Sequence, residues 1–272
     1  MNIPIELIEE IKQNRVILFV GAGISENLGR APWGKLIDEM AIELGYDRDV
    51  FRSMGNYLEL AEFYKIRKKS IRTLKEWMDI NWHNSEIKIE DSNVHKLIID
   101  LKFPIIYTTN YDRWLENAFD YYNKKYTKIV GIDDLVNLKD GITQIVKFHG
   151  DLEDESSIVL TESSYFERLS FESSLDIKLR GDVLGKAILF IGYSLSDINI
   201  RYLLFKLNKI WKEAKFQKYR PKSYILLLNR NSVQQEILEN RGINTIISNT
   251  NDKKKGVENF LCELAERVIK NK

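Results

Sequence analysis

"VILFVGAGISENLGRAPW", residues 16–33, decides how the rest of the 272-residue chain is read. Val16 to Val20 is an unbroken apolar run stopped by glycine, the pattern of a strand buried on both faces of a parallel sheet. Gly21-Ala22-Gly23 then runs into a helix. Glycines let a backbone come close to a ligand, and a helix N-terminus offers unpaired N–H groups and a positive dipole end, so the turn has the physics of a phosphate site. It matches neither common pattern. A G-x-G-x-x-G fingerprint needs glycine where Glu26 stands, and a Walker loop needs a Gly-Lys-Ser/Thr that is absent. Taken alone, the glycine pair is read equally well as a tight strand-to-helix turn that holds nothing.

Pro4 to Gln13, just upstream, reads as a short amphipathic helix with Ile5, Ile8 and Ile11 inward and Asn14 closing it. Downstream, short apolar runs recur at Pro104–Thr109, Gln144–Phe148, Ala187–Ile191, Tyr224–Leu228 and Asn244–Ser248. Helix-like stretches separate most of them, and that alternation predicts an α/β fold: an open parallel sheet with helices on both faces. The spacing is uneven. Roughly eighty residues separate the first run from Pro104, where a plain βαβ unit takes about thirty, and the excess is helical in pattern. We therefore expect one domain over residues 1–272 with an inserted helical module at about 34–102 and a second insertion at about 151–186.

Composition narrows the function. With 44% hydrophobic and 30% charged residues the chain is expected to fold as a globular domain, and no run of about 20 apolar residues could span a bilayer. The first fifteen residues carry acids where a signal peptide carries positive charge, so a cytoplasmic location is expected. A formal net charge of +1 gives no global attraction to nucleic acid, and direct binding to it is not expected. The basic stretches Lys65–Lys75 and Lys206–Lys222 read first as solvated helix faces. Cys262, the single cysteine, lies in an apolar helix pattern and excludes a multi-cysteine zinc ribbon. No ligand spacing for a metal is present, and no bound metal is expected.

In an open sheet the ligand crevice lies beyond the carboxyl ends of the strands. Four of the later runs deliver polar residues there. "TTNYD" brings Thr109, Asn110 and Asp112; "HGDL" brings His149; "GYSLSD" brings Gly192, Ser194 and Asp197; and the run ending at Leu228 brings Asn229.

In order along the chain, "GAGIS", "TTNYD", "FHG" and "GYSLSD" resemble the sirtuin family, most of all its bacterial sirtuin-like branch of phage-defence NAD hydrolases. The resemblance covers about Val16 to Ser248 and implies a Rossmann-like sheet. It also implies an NAD loop at Gly21, Ala22, Gly23 and Ser25, NAD contacts at Asn110 and Asp112, and a catalytic histidine at His149. Two departures from deacetylating sirtuins argue against removal of acyl groups from lysine. The four-cysteine zinc module after the histidine-glycine pair is missing, and "NLGRAPWGKL" replaces the proline-aspartate-phenylalanine-arginine stretch.

The resemblance implies NAD as substrate, cleaved to nicotinamide and ADP-ribose. Nicotinamide leaves as a neutral base from a cationic pyridinium, so the bond needs no acid and base carboxylate pair; it needs an environment for an oxocarbenium-like ribose, a tethered pyrophosphate and a group to orient or deprotonate water. Asn110 could hold ribose or water, and His149, with an ordinary pKa near 6.5, could be the general base. Asp112 could hold the carboxamide, and Ser194 and Asn229 the adenosine side. Each has a structural alternative: Asn110 as a helix N-cap, Asp112 in that helix's first turn, His149 as a turn residue. His83 and His95 read as structural. A chain that binds NAD or ADP-ribose without turnover is a second reading, and a protein deacylase a third. A toxic hydrolase must be held off until needed, so a homo-oligomer or a separately encoded partner, such as an ATPase or Argonaute-like protein by family analogy, is expected, with the two basic helices as candidate contact surfaces.

Overall fold

The computed structural model describes residues 1–26, 28–29, 32–170, 172–193, 197–213 and 220–269. Helix α1 (Ile5–Lys12) leads into β1 (Val16–Val20), and Asn14 between them takes φ +55°, the left-handed conformation in which asparagine ends a helix. The helix buries Leu7, Ile8 and Ile11 and exposes Ile5. At about 100° per residue the three buried positions share one arc that Ile5 misses, so the expected inward stripe is corrected by one member.

Beyond β1 the chain forms α2 (Ala22–Glu26), α3 (Trp33–Leu44), α4 (Arg48–Ser53), α5 (Tyr57–Lys68), α6 (Arg72–Trp82) and α7 (Asn93–Asp100) before reaching β2 (Ile105–Thr108). Then come α8 (Trp114–Tyr121), β3 (Tyr126–Ile129), α9 (Ile132–Leu135), β4 (Thr143–Lys147), α10 (Glu162–Arg168) and α11 (Ser174–Gly185). The last part runs β5 (Ala187–Ile191), α12 (Ile198–Glu213), β6 (Ser223–Leu227), α13 (Ser232–Asn240), β7 (Ile243–Ile247) and α14 (Lys253–Ile269).

All seven strands pair in parallel, in the order β3-β4-β2-β1-β5-β6-β7. This is the open, doubly covered sheet expected from the alternation. Strand β3 is the one the apolar runs do not announce. It is an edge strand, and three of its four residues are only half-buried, so "YTKI" needs no continuous apolar run.

Side chains of β1 alternate between two cores. Val16, Leu18 and Val20 join α1, α7, α8 and α14 on one face, while Ile17 and Phe19 join α11, α12 and α13 on the other. Helices α3 to α6 build a third cluster around Trp82, Tyr64 and Met40, which meets the rest of the fold through Tyr111, Leu152 and Leu160. Helix α7 belongs to the core of the sheet and not to that cluster.

The connection leaving β1 leads to β2 on one side, and the connection leaving β5 leads to β6 on the other. Where neighbouring strands send their chains apart, a crevice opens at their carboxyl ends. Gly21 and Gly192 stand at that point.

Candidate active site

The glycine turn serves close approach of two backbones. A Cβ on Gly21 would lie 2.3 Å from the Gly192 carbonyl oxygen, and one on Gly192, whose φ is +63°, would lie 2.8 Å from the Ile24 nitrogen. The Gly21 N–H donates to the Ile191 oxygen and the Gly23 N–H to the Gly192 oxygen, each at 3.0 Å. Two amides that the phosphate reading offered to a ligand are thus bound to the end of β5 and the residue after it. Ala22 and Gly23 face the crevice; Gly21 is buried beneath it.

Asn110 follows β2 and reaches across to this turn. Its Nδ2 donates to the Gly21 oxygen at 3.2 Å and to Ser25 Oγ at 3.1 Å, and its backbone N–H donates to Thr108 Oγ1, which itself donates to the Val20 oxygen. A carbonyl oxygen can only accept, so the Gly21 bond sets which way round the amide sits. Both amide protons are engaged, and Oδ1 is the atom left to offer a ligand. Asn110 is not a helix cap: α8 is capped at Arg113 with no side-chain bond. Asp112 does serve that helix. Its Oδ1 accepts from the Trp114 N–H at 3.4 Å, while its carbonyl oxygen accepts from Lys147 Nζ. His83 Nε2 accepts the Arg113 N–H at 2.9 Å, tying the helical module to the same loop, and His95 Nδ1 lies 2.7 Å from Ser92 Oγ.

His149 sits at the end of β4 with 1% of its surface exposed. The tight turn is made by the next residue, Gly150, at φ +97°, where a Cβ would meet the Ser157 oxygen at 2.3 Å. His149 is therefore set by the turn and does not make it. Its Nδ1 lies 3.3 Å from the Tyr165 hydroxyl, and its Nε2 lies 3.3 Å from Asp197 Oδ2, within ion-pair reach but not aligned as a hydrogen bond. Burial pushes its pKa down to about 4; Asp197 opposes this and Arg168 adds to it. The value expected from an ordinary histidine is corrected accordingly, and the ring is neutral at pH 7. Asp197 caps α12 as well, its Oδ1 accepting from the N–H groups of Asn199 and Ile200.

These groups open on one cavity of about 920 Å³, of the size that takes an elongated organic ligand. It brings together Ala22, Gly23, Thr109, Asn110, Asp112, His149, Gly192, Asp197 and Asn229 from the ends of five strands. Ser25 lies behind them, 2% exposed, as the partner of Asn110. Ser194 lies outside the described residues, as do residues 214–219 of the second basic stretch.

Sequence reasoning missed the walls. Trp33, at the end of the "ENLGRAPW" stretch, packs on Tyr111 at 6.0 Å between ring centres, and Trp82 stacks on Tyr111 at 6.3 Å and 7°. Tyr165 stands edge-on to His149 at 5.0 Å. These residues come from the two insertions or face them, where no strand-end rule points to the site. The replaced proline-aspartate-phenylalanine-arginine stretch is the one signal that singled out Trp33. Among the described residues no group of His, Cys, Asp and Glu could hold a metal ion, and no helix is long and apolar enough to cross a membrane.

A family model described as the SIR2-like domain matches residues 104–246. The NAD(+) hydrolase ThsA of Bacillus cereus (strain MSX-D12) is 29% identical over 217 residues, covering 78% of this chain and 44% of that protein. The NAD(+) hydrolase ThsA of Enterococcus faecium is 29% identical over 238 residues, covering 84% and 47%. Defense-associated sirtuin 2 of Bacillus subtilis is 25% identical over 251 residues, covering 89% and 24%. The chain thus spans less than half the length of these curated relatives.

Proposed function

Because the chain belongs to the SIR2-like domain family, we propose that it hydrolyses NAD to nicotinamide and ADP-ribose as an effector of antiviral defence. One observation carries the reading: Asn110, held by the β1 turn with its oxygen left over, lines the same cavity as His149. The names of the relatives support it.

In this reading the C1′–N bond breaks with its electron pair going to the pyridinium nitrogen, which leaves as neutral nicotinamide. Water adds to the oxocarbenium-like carbon, guided by Asn110 Oδ1. Once bonded to that carbon the water becomes strongly acidic, so its proton is lost downhill to a weak base. His149, neutral at pH 7 because its pKa is pushed down to about 4, is a weak base adequate for that late transfer. Nε2, the ring nitrogen without an aligned hydrogen bond, is the acceptor in this reading. Asp197 then acts on the imidazole and not on the cofactor. Asp112 and the Trp33–Tyr111 wall bound the nicotinamide end, and Asn229 the adenosine end. Assembly as a homo-oligomer, or with a separately encoded partner that holds the activity in check, belongs to the same proposal.

Nicotinamide release from NAD by wild type and by Asn110→Ala tests it, with and without adjacent gene products. Loss of at least about 100-fold in Asn110→Ala is expected for a group that aligns the reacting water. No nicotinamide from wild type under either condition, with NAD still bound, would move the reading to an NAD-binding subunit without turnover.

A further inference from the structure

Beneath the site lies a fully buried ammonium group. Lys147, the last residue of β4, is 0% exposed. Its Nζ donates to the Asp112 carbonyl oxygen and lies 3.2 Å from Glu116 Oε1 and 3.3 Å from Asp151 Oδ2. An ammonium has three protons and no acceptor; this one makes a hydrogen bond to the Asp112 carbonyl and ion-pair contacts, not aligned as hydrogen bonds, with the two carboxylates. These partners come from three segments: the loop that carries Asn110, helix α8, and the turn that carries His149.

A cation is not what this place in the fold requires. Lys147 shares a face of β4 with Ile145, which is packed in the core, and a buried ion pair is commonly replaced by apolar side chains with no loss of stability. Lys128 reaches Asp151 from the surface at 3.7 Å and ends on Glu153, so Asp151 has a second cation, whereas Lys147 also bonds the Asp112 carbonyl. The Lys147 group therefore does something that neutralising Asp151 would not.

We propose that Lys147 is a positioning residue that sets the separation of Asn110 and His149 by tying the Asp112 carbonyl to Asp151. The inference rests on those two residues being the reacting pair. Asp112 is two residues beyond Asn110 and Asp151 two beyond His149, so movement at either tie is passed along a short stretch of backbone toward the reacting group beside it. Glu116, whose carboxyl is pushed up by burial and eased back by Lys147, is the charge partner of the tie and not part of it.

Removing the lysine alone would strand two buried acids and confuse positioning with stability. The test is therefore Lys147→Met combined with Glu116→Gln and Asp151→Asn in the full chain, which leaves the cluster neutral. We expect a folded protein with NAD affinity within about threefold of wild type by calorimetry and kcat for nicotinamide release lowered about 30- to 100-fold. The imidazole of His149, one of only three histidines, is expected to titrate closer to its ordinary value by NMR as the turn loosens and admits water. A folded triple variant with kcat within about twofold of wild type and an unmoved His149 midpoint overturns the proposal. Glu116→Gln, which keeps the tie, is the second variant: kcat should stay within about threefold, and a loss there as large as in the triple variant also overturns it. If wild type itself releases no nicotinamide, the hydrolase reading falls, and the His149 titration alone decides for or against Lys147.

Discussion

Gly21→Ala adds one methyl group at the place where the β1 and β5 loops touch. The new Cβ would stand 2.3 Å from the Gly192 oxygen, 2.5 Å from Tyr193 Cδ2 and 2.8 Å from Tyr193 Cα, where real Cβ atoms do not come within 3.0 Å. Two of the three neighbours are backbone, so the 192–193 segment has to retreat by at least about 0.7 Å, at an overpacking cost of roughly 2–3 kcal/mol. For a chain of this size that is about 4–10 °C in melting temperature. The same retreat pulls on the 3.0 Å bonds from Gly21 and Gly23, whose turn also holds Asn110, so turnover should fall together with stability. Differential scanning fluorimetry and nicotinamide release measure the two. Gly181→Ala is the control, since its Cβ would meet nothing within 4 Å inside α11 and alanine there gains about 0.5–1 kcal/mol of helix propensity. If Gly21→Ala melts within about 1 °C of wild type, where about 4 °C or more is expected, the contact between the loops is not as tight as described and the reasoning fails.

Two further outcomes follow from buried charge. His149 and His95 both have pKa values pushed from 6.5 down to about 4, chiefly by burial. The unfolded chain takes up protons that the folded one refuses, so their contribution is complete above pH 6.5 and is lost as the pH falls toward 4, about 2 kcal/mol for each histidine between pH 7 and pH 5. Urea midpoints at those two pH values measure it, and His95→Leu should flatten the dependence by about half if the two contribute equally. Arg168→Leu removes bonds to the Phe148 oxygen and to buried Asp176 and a stack 4.2 Å from the Phe148 ring. The expected loss is about 3 kcal/mol in urea denaturation, with the His149 midpoint in NMR rising because a neighbouring positive charge is gone; a falling midpoint would contradict the assignment of that charge.

The sheet was legible because strands buried on both faces must be continuous apolar runs, and "VILFV", "PIIYTT" and "AILFI" are such runs. Edge strand β3 was not, since "YTKI" faces solvent along one side. The rim was legible for the same reason as the sheet: once the strands are known, the next residues are at the crevice, and that brought Asn110, His149, Asp197 and Asn229 to one cavity. What each does there was less visible. The partner of Asn110 is a carbonyl at Gly21, the depressed proton affinity of His149 comes from its burial, and Asp197 reaches the imidazole only in the folded chain. None of these is a property of a residue type or a spacing. Trp33 stands just before the first insertion, and Trp82 and Tyr165 lie within insertions, whose packing against the sheet no periodicity encodes.

The strand order has a consequence for synthesis. Strand β1 pairs with β2, and its other partner, β5, is 171 positions later, Val16 opposite Ala187. At the usual pace of translation β1 waits roughly 10–30 s for that partner to leave the ribosome. Until then the Gly21 turn has no Gly192 to close on, and His149 lacks Asp197. A nascent or truncated chain therefore lacks the assembled crevice in which Asn110, His149 and Asp197 meet.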